Sequence, residues 1–122
     1  MSDFRNLEIW KRGIELTKEI YEITKGFPKS EKFGLSSQIQ RAMVSVPSNI
    51  AEGASRQYKK EFIHFLYQAR GSLCEVITQL EIAHLIGYIN EETKSAISNR
   101  MEELLKMLNS MIKSLRTAKL SR

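Results

Sequence analysis

Gln38-Ile39-Gln40-Arg41-Ala42-Met43-Val44-Ser45-Val46-Pro47-Ser48-Asn49-Ile50-Ala51-Glu52-Gly53 is a helical pattern with a proline inside it and a glycine at its end. Ile39, Ala42, Met43, Val46, Ile50 and Ala51 recur at helical spacings, and Leu35 extends the row backwards. The proline removes one backbone hydrogen bond and crowds the carbonyl four residues before it. Because the apolar period continues through Pro47, the segment reads as one helix kinked there rather than two separate helices. Ser45 and Ser48 are available to the freed backbone. Gly53 is the expected stop, and Ser30 the expected N-cap, which starts the helix between Glu31 and Leu35.

Three more helices flank this one. Leu7, Trp10, Ile14, Thr17, Tyr21 and Thr24, with Gly13, Ile20 and Phe27 beside them, predict an amphipathic helix from about Leu7 to Lys25, ended by Gly26 and Pro28. After a short connection at 54–58, Phe62, Phe65, Leu66, Ala69, Leu73, Val76, Leu80 and Ala83 predict a long third helix to about Ile86, widened by Ile77 and stopped by Gly87. Asn90 caps the fourth, with Glu91 and Glu92 at the positive end of its dipole. Its apolar row is Ile97, Met101, Leu104, Leu105, Leu108, Ile112 and Leu115. Four amphipathic helices with short connections predict an all-α fold, an antiparallel up-down-up-down four-helix bundle.

The composition agrees. A chain of 122 residues reads as a single domain spanning 1–122. Valine occurs only at 44, 46 and 76, so strand formers do not cluster. Cys74 is the only cysteine, which rules out an intramolecular disulfide and a cysteine-based zinc site within one chain. The N-terminus has no signal-peptide apolar core and no apolar run approaches the roughly 20 residues of a membrane span, so a cytoplasmic location with no membrane partner is expected. Nineteen Lys and Arg against fourteen Asp and Glu give a net charge of +5, a balance compatible with nucleic acid or an acidic partner.

Leu7, Trp10-Lys11, Phe27-Pro28, Glu31, Gly34-Leu35, Gln38, Arg41-Ala42, Ser45-Val46-Pro47-Ser48-Asn49-Ile50-Ala51-Glu52-Gly53 and Arg56 carry a resemblance that continues at Phe65-Leu66, Ala69-Arg70-Gly71-Ser72-Leu73, Glu75, Gln79-Leu80 and Gly87-Tyr88. Over about residues 4 to 89 the chain resembles the four helix bundle proteins, also called 23S rRNA intervening-sequence proteins. The resemblance implies a bundle that assembles into a homopentamer, and a cytoplasmic bacterial protein. Some members are encoded within insertions in bacterial large-subunit rRNA genes. A similar bundle is the accessory protein of diversity-generating retroelements, a basic pentameric barrel that binds nucleic acid and a reverse transcriptase, so the resemblance implies RNA or DNA and a protein of that kind as partners. Two positions depart from the family pattern. Gln40 stands where the first of two adjacent arginines is usual, removing one positive charge. Tyr58 stands where Ser or Thr often caps the third helix, leaving the cap to Ser55 or to nothing.

No constellation completes a catalytic or metal site. Glu61…His64 and Glu81…His84 have the Glu-x-x-His spacing of di-metal bundles, but that site needs the motif on two helices. Here both lie on one helix, twenty residues and roughly 30 Å apart. Cys74 is ten residues from either histidine and reads as a buried, inert thiol. No metal and no cofactor is expected. Arg41, Asn49, Glu52, Arg70, Ser72 and Glu75 form a polar seam that reads either as a register-fixing network or subunit interface, or as a ligand pocket; lacking a nucleophile, metal set or phosphate loop, it is taken as structural.

The basic residues are the remaining candidates. Arg56, Lys59 and Lys60 cluster at the start of the third helix with Tyr58 interleaved, and Lys113, Arg116 and Lys119 end the fourth without an acid among them. The bland reading is a solvated face and a favourable match to the helix dipole. The sharper one is a phosphate-binding surface, repeated in an oligomer. The sequence thus predicts a non-enzymatic nucleic-acid-binding or scaffold protein, RNA being the first choice of ligand. The alternatives are a protein-interaction module docking an acidic partner, and an enzyme using Asn49, Glu52, Arg70 and Glu75.

Overall fold

A computed structural model describes residues 3–118, which form four long helices: α1 (Glu8–Thr24), α2 (Leu35–Ala54), α3 (Lys59–Leu85) and α4 (Glu91–Ala118). Short 3-10 turns at Phe4–Asn6 and Lys29–Glu31 precede α1 and α2. Among the described residues there is no strand, and no helix is long and apolar enough to cross a membrane.

α2 is one unbroken helix with Pro47 inside it. A proline in a helix interior costs about 3 kcal/mol relative to alanine, and tertiary contact offsets it here. Pro47 is buried, and its ring lies against Gly13 of α1, where an added Cβ would come within 3.2 Å of the proline Cβ. The side chain that donates to the nearby backbone is Asn49, whose Nδ2 reaches the Ser45 carbonyl at 2.8 Å. On the other side α2 approaches α3 closely at Gly53, where an added Cβ would stand 2.7 Å from the Phe65 Cβ. Gly53 is therefore a packing glycine inside the helix rather than the stop, and α2 continues through Ala54.

Pairings across the bundle run in opposite chain order. Gly13 and Thr24 of α1 face Pro47 and Gln40 of α2. Ser45 and Gly53 of α2 face Ser72 and Phe65 of α3. Tyr67 and Glu81 of α3 face Arg116 and Lys94 of α4. Arg12 and Glu19 of α1 reach Glu103 and Arg100 of α4, closing the four helices around one core. That core holds Ile20, Ile39, Met43, Ile50, Leu66, Leu73, Leu80, Ile97, Met101, Leu104 and Leu108, all essentially inaccessible to water.

The apolar rows predicted for α2, α3 and α4 face this core. The row predicted for α1 does so only in part: Thr24 is buried and Leu7 and Trp10 pack against the core, but Ile14 and Tyr21 are each 43% exposed, and Ile9, Gly13, Leu16 and Ile20 hold the buried face. α1 has a broad apolar arc, and the contact between Gly13 and Pro47 rotates it so that the glycine lies at the centre of the buried face. A glycine adds nothing to a hydrophobic row, so periodicity alone chose the flank.

The ends are closed by local hydrogen bonds. Gly87 has φ +86°, and the Tyr88 and Gly87 amides donate to the carbonyls of Ala83 and His84, a Schellman ending of α3. Asn90 caps α4 as expected, accepting from the Thr93 amide at 2.8 Å. Ser30 does not cap α2: it lies in the 3-10 turn, and Glu31 takes the role, one carboxylate oxygen accepting from the Leu35 amide at 2.9 Å and the other from the Tyr88 hydroxyl at 2.7 Å. Tyr58 makes no side-chain cap on α3, and Ser55 bonds back to the Glu52 carbonyl instead.

Two predictions follow from this packing. Gly53→Ala lowers stability by about 1–3 kcal/mol through overpacking, whereas Gly71→Ala, with open space around the added methyl, is neutral or stabilises by up to about 1 kcal/mol; urea denaturation of both variants checks the pair. The Leu35 amide, then the Tyr88 hydroxyl, hold the Glu31 carboxyl below its ordinary range. A depressed folded pKa contributes stability above the unfolded value, and that contribution is lost as pH falls through the folded one. Glu31→Gln is thus less stable than the parent at neutral pH, and the gap closes in acid; denaturation curves at both pH values measure it.

Candidate nucleic-acid interface

α3 and α4 lie side by side, and their charges sort along the pair. Toward the connection between them the charges are matched. Lys94 sits 2.9 Å from Glu81, and this hydrogen bond raises the lysine pKa. His84 lies 3.1 Å from Glu91, whose carboxyl is held low first by the Ser95 hydroxyl and then by Lys94. Further along α4, Arg100 pairs with Glu19 and Arg12 with Glu103.

Past Glu103 the matching stops. α4 then carries Lys106, Lys113 and Arg116 with no acid to its end. The spacing Lys106-Asn109-Lys113-Arg116 is three, four and three residues, which places these side chains on one helical face. All four are exposed. Across from them, Lys60, Tyr67 and Arg70 follow α3 at spacings of seven and three. Arg116 donates to the Tyr67 hydroxyl at 2.8 Å, and Arg70 to the Asn109 side-chain carbonyl at 3.0 Å. The Arg70 guanidinium also lies over the Tyr67 ring, 4.6 Å from its centroid. Among the described residues, no carboxylate forms an ion pair with Arg70, Lys106, Lys113 or Arg116.

The predicted basic residues thus divide. Lys59 and Lys60 open α3 at the same end of the bundle as Lys113 and Arg116, about two turns beyond the Tyr67–Arg116 bond, so two clusters more than fifty residues apart in sequence share that end. Arg56 belongs elsewhere. It pairs with Glu52 at 2.7 Å and lies over the Phe65 ring at 5.0 Å, and Phe65 points about 200° around α3 from Tyr67. Its charge is matched. Lys119 lies outside the described residues. Tyr67, Asn109 and Lys106 were missed by sequence reasoning, although the three-four-three spacing on α4 could have found the last two.

The polar seam divides as well. Ser45 and Ser72 share a hydroxyl–hydroxyl bond of 2.9 Å between α2 and α3, and Asn49 donates to the Ser45 hydroxyl at 2.9 Å. Arg41 and Glu75 are exposed and line an open groove of about 350 Å³ with Gln38, Ala42, Ser45 and Ser72. Glu52 is exposed in its pair with Arg56, and Arg70 faces α4 rather than this groove. The six residues therefore do not converge: 70 and 72 are about 200° apart on a helix, which separates Arg70 from Ser72. Cys74, expected to be buried, is exposed, because the buried row of α3 passes through Leu73 and Val76. The two Glu-x-x-His pairs stay apart, and among the described residues no three His, Cys, Asp or Glu side chains gather as metal ligands would.

No curated protein matches the chain. A solved structure does: a protein of unknown function from the S23 ribosomal protein family of Bacteroides thetaiotaomicron, 29% identical, with a TM-score of 0.78 over 86% of this chain and 98% of that one. The family described as 23S rRNA-intervening sequence protein matches residues 5–110, which takes in all of α1, α2 and α3 and most of α4, the interface residues Lys60, Tyr67, Arg70 and Lys106 among them. The chain belongs to the 23S rRNA-intervening sequence protein family.

Proposed function

We propose that this protein is a non-enzymatic nucleic-acid-binding or scaffold protein of the cytoplasm, working as a homo-oligomer and contacting RNA phosphates through the shared basic end of α3 and α4. The observation that carries this reading is the break in charge matching along α4. Cations up to Arg100 have carboxylate partners, and Lys106, Lys113 and Arg116 have none among the described residues. Uncompensated, clustered cations create the field that attracts a polyanion and releases its counterions.

Self-association is supported by apolar surface that one chain leaves uncovered. Leu85 is 72% and Ile86 53% exposed at the end of α3, with Ile82 one turn before, and Phe33 is 89% exposed in the first connection. Contacts between copies would cover such residues and repeat the basic face several times on one particle. The polar seam supports no chemistry in this reading: Ser45, Asn49 and Ser72 join α2 to α3, while Arg41 and Glu75 stand in solvent.

Fluorescence anisotropy with a labelled single-stranded RNA over a salt series, with mass by light scattering in the same buffers, tests the function. The expected result is binding at about micromolar affinity or tighter that falls steeply with salt, by a particle several times the 14.1 kDa chain mass. A well-folded oligomer that fails to bind at low salt overturns the nucleic-acid reading in favour of a protein partner. The structural role of the seam predicts that Ser72→Ala costs about 0.5–1.5 kcal/mol of stability, while Arg41→Gln and Glu75→Gln stay within about 0.5 kcal/mol of the parent; thermal denaturation distinguishes them.

A further inference from the structure

We infer that Arg70 and Arg116, both held on Tyr67, form with Lys106 and Lys113 a preorganised track for the phosphates of a single nucleic-acid strand. This inference rests on the nucleic-acid reading above and names the residues and the form of ligand.

The argument begins with how the two arginines are held. Of the other described arginines, four are fixed by carboxylates, Arg5 by Asp3, Arg12 by Glu8 and Glu103, Arg56 by Glu52 and Arg100 by Glu19, and the fifth, Arg41, is exposed with no ion pair. An arginine fixed that way has little charge left for a ligand. Arg70 and Arg116 are fixed by neutral groups instead, the Asn109 carbonyl and the Tyr67 ring for one, the Tyr67 hydroxyl for the other. Each keeps its full positive charge, since a guanidinium does not deprotonate in a protein. Each also uses only part of its five-donor fork in the bond it makes, leaving N–H groups for a phosphate oxygen. Part of the entropy of ordering two long side chains is thus met before any ligand arrives.

The shape of the site sets the form of the anion. Lys106, Lys113 and Arg116 follow one face of α4, and Arg70 enters the row from α3 at Asn109. From Lys106 to Arg116 is ten residues, about 15 Å along the helix. A compact anion needs a concave cluster, whereas a row of this length fits consecutive backbone phosphates. It is one row along the seam between two helices, so it follows one strand. The guanidinium of Arg70 stacked on Tyr67 adds a planar surface of the kind that receives unpaired bases.

The test compares the full chain with Arg70→Gln/Arg116→Gln and with Lys18→Gln/Lys25→Gln, which removes the same charge from exposed positions on α1 and at its C-cap. Circular dichroism melts confirm folding of each. The probes are a labelled single-stranded RNA and a matched duplex, titrated from low to high salt. The expected result is a loss of more than about tenfold for the α3/α4 variant, a salt slope lower by about 1.4 for two lost single-strand contacts, and little change for the α1 variant. Arg70→Lys/Arg116→Lys keeps the charge without the held forks; it should weaken binding while leaving the salt slope near the parent's. If the parent binds and both double Gln variants weaken equally, the track is wrong and the nucleic-acid reading stands. If the duplex binds as tightly as the single strand, the single-strand assignment fails. If the parent binds neither probe, the functional reading falls and the track with it.

Discussion

The contact between the ring of Pro47 and Gly13, together with the approach of Gly53 to Phe62 and Phe65, sets the spacing on both sides of α2. A helix-interior proline is costly in isolation, and it persists because the neighbouring helix presents no side chain at that point. The result is that α2 is held closely by α1 and α3 at once. α1 takes its rotation from this contact, which turns Ile9, Leu16 and Ile20 into the core. α3 takes its position from Gly53 and from the Ser45–Ser72 bond. α4 is then placed by its own apolar row, Ile97, Met101, Leu104, Leu108 and Ile112. The ion pairs between α1 and α4 add little stability, since exposed pairs contribute at most about 1 kcal/mol.

The same arrangement sorts charge. Antiparallel pairing of α3 with α4 brings the acid-rich start of α4 against the end of α3, where Glu81 and Glu91 find Lys94 and His84. It brings the basic end of α4 against the start of α3, where there are lysines and a tyrosine but few acids. Favourable helix-dipole chemistry explains cations at the end of α4. It does not explain why two arginines are oriented by a tyrosine and an asparagine. Stability alone would be served as well or better by carboxylate partners, so the neutral ones point to charge kept available for an external anion.

Much of the fold was legible. The rows of α2, α3 and α4, the Gly87 ending and the Asn90 cap follow from residue types at fixed offsets. What was not legible depended on tertiary contact. Gly13 and Gly53 look like interruptions or stops in a sequence, yet both mark close helix approaches. The Glu31 cap was hidden because its second partner, Tyr88, is far along the chain. In the candidate interface, the clusters at 59–60 and 113–116 were visible from composition. Arg70 lies about 200° around α3 from Ser72, which takes it out of the seam, and the part played by Tyr67 depends on Arg116, which comes from α4. Arg56 reads as part of the basic cluster with Lys59 and Lys60, but Glu52, four residues before it, takes its charge.

The central claim is that a nucleic-acid strand lies on the face shared by α3 and α4. Photo-crosslinking of a 4-thiouridine-containing single-stranded RNA, with mass spectrometry of the crosslinked peptides, tests it most directly. The account predicts crosslinks within 60–70 of α3 and 106–116 of α4, with Tyr67 prominent. Crosslinks concentrated instead on the outer faces of α1 and α2, or around Arg56 and Phe65, would contradict it.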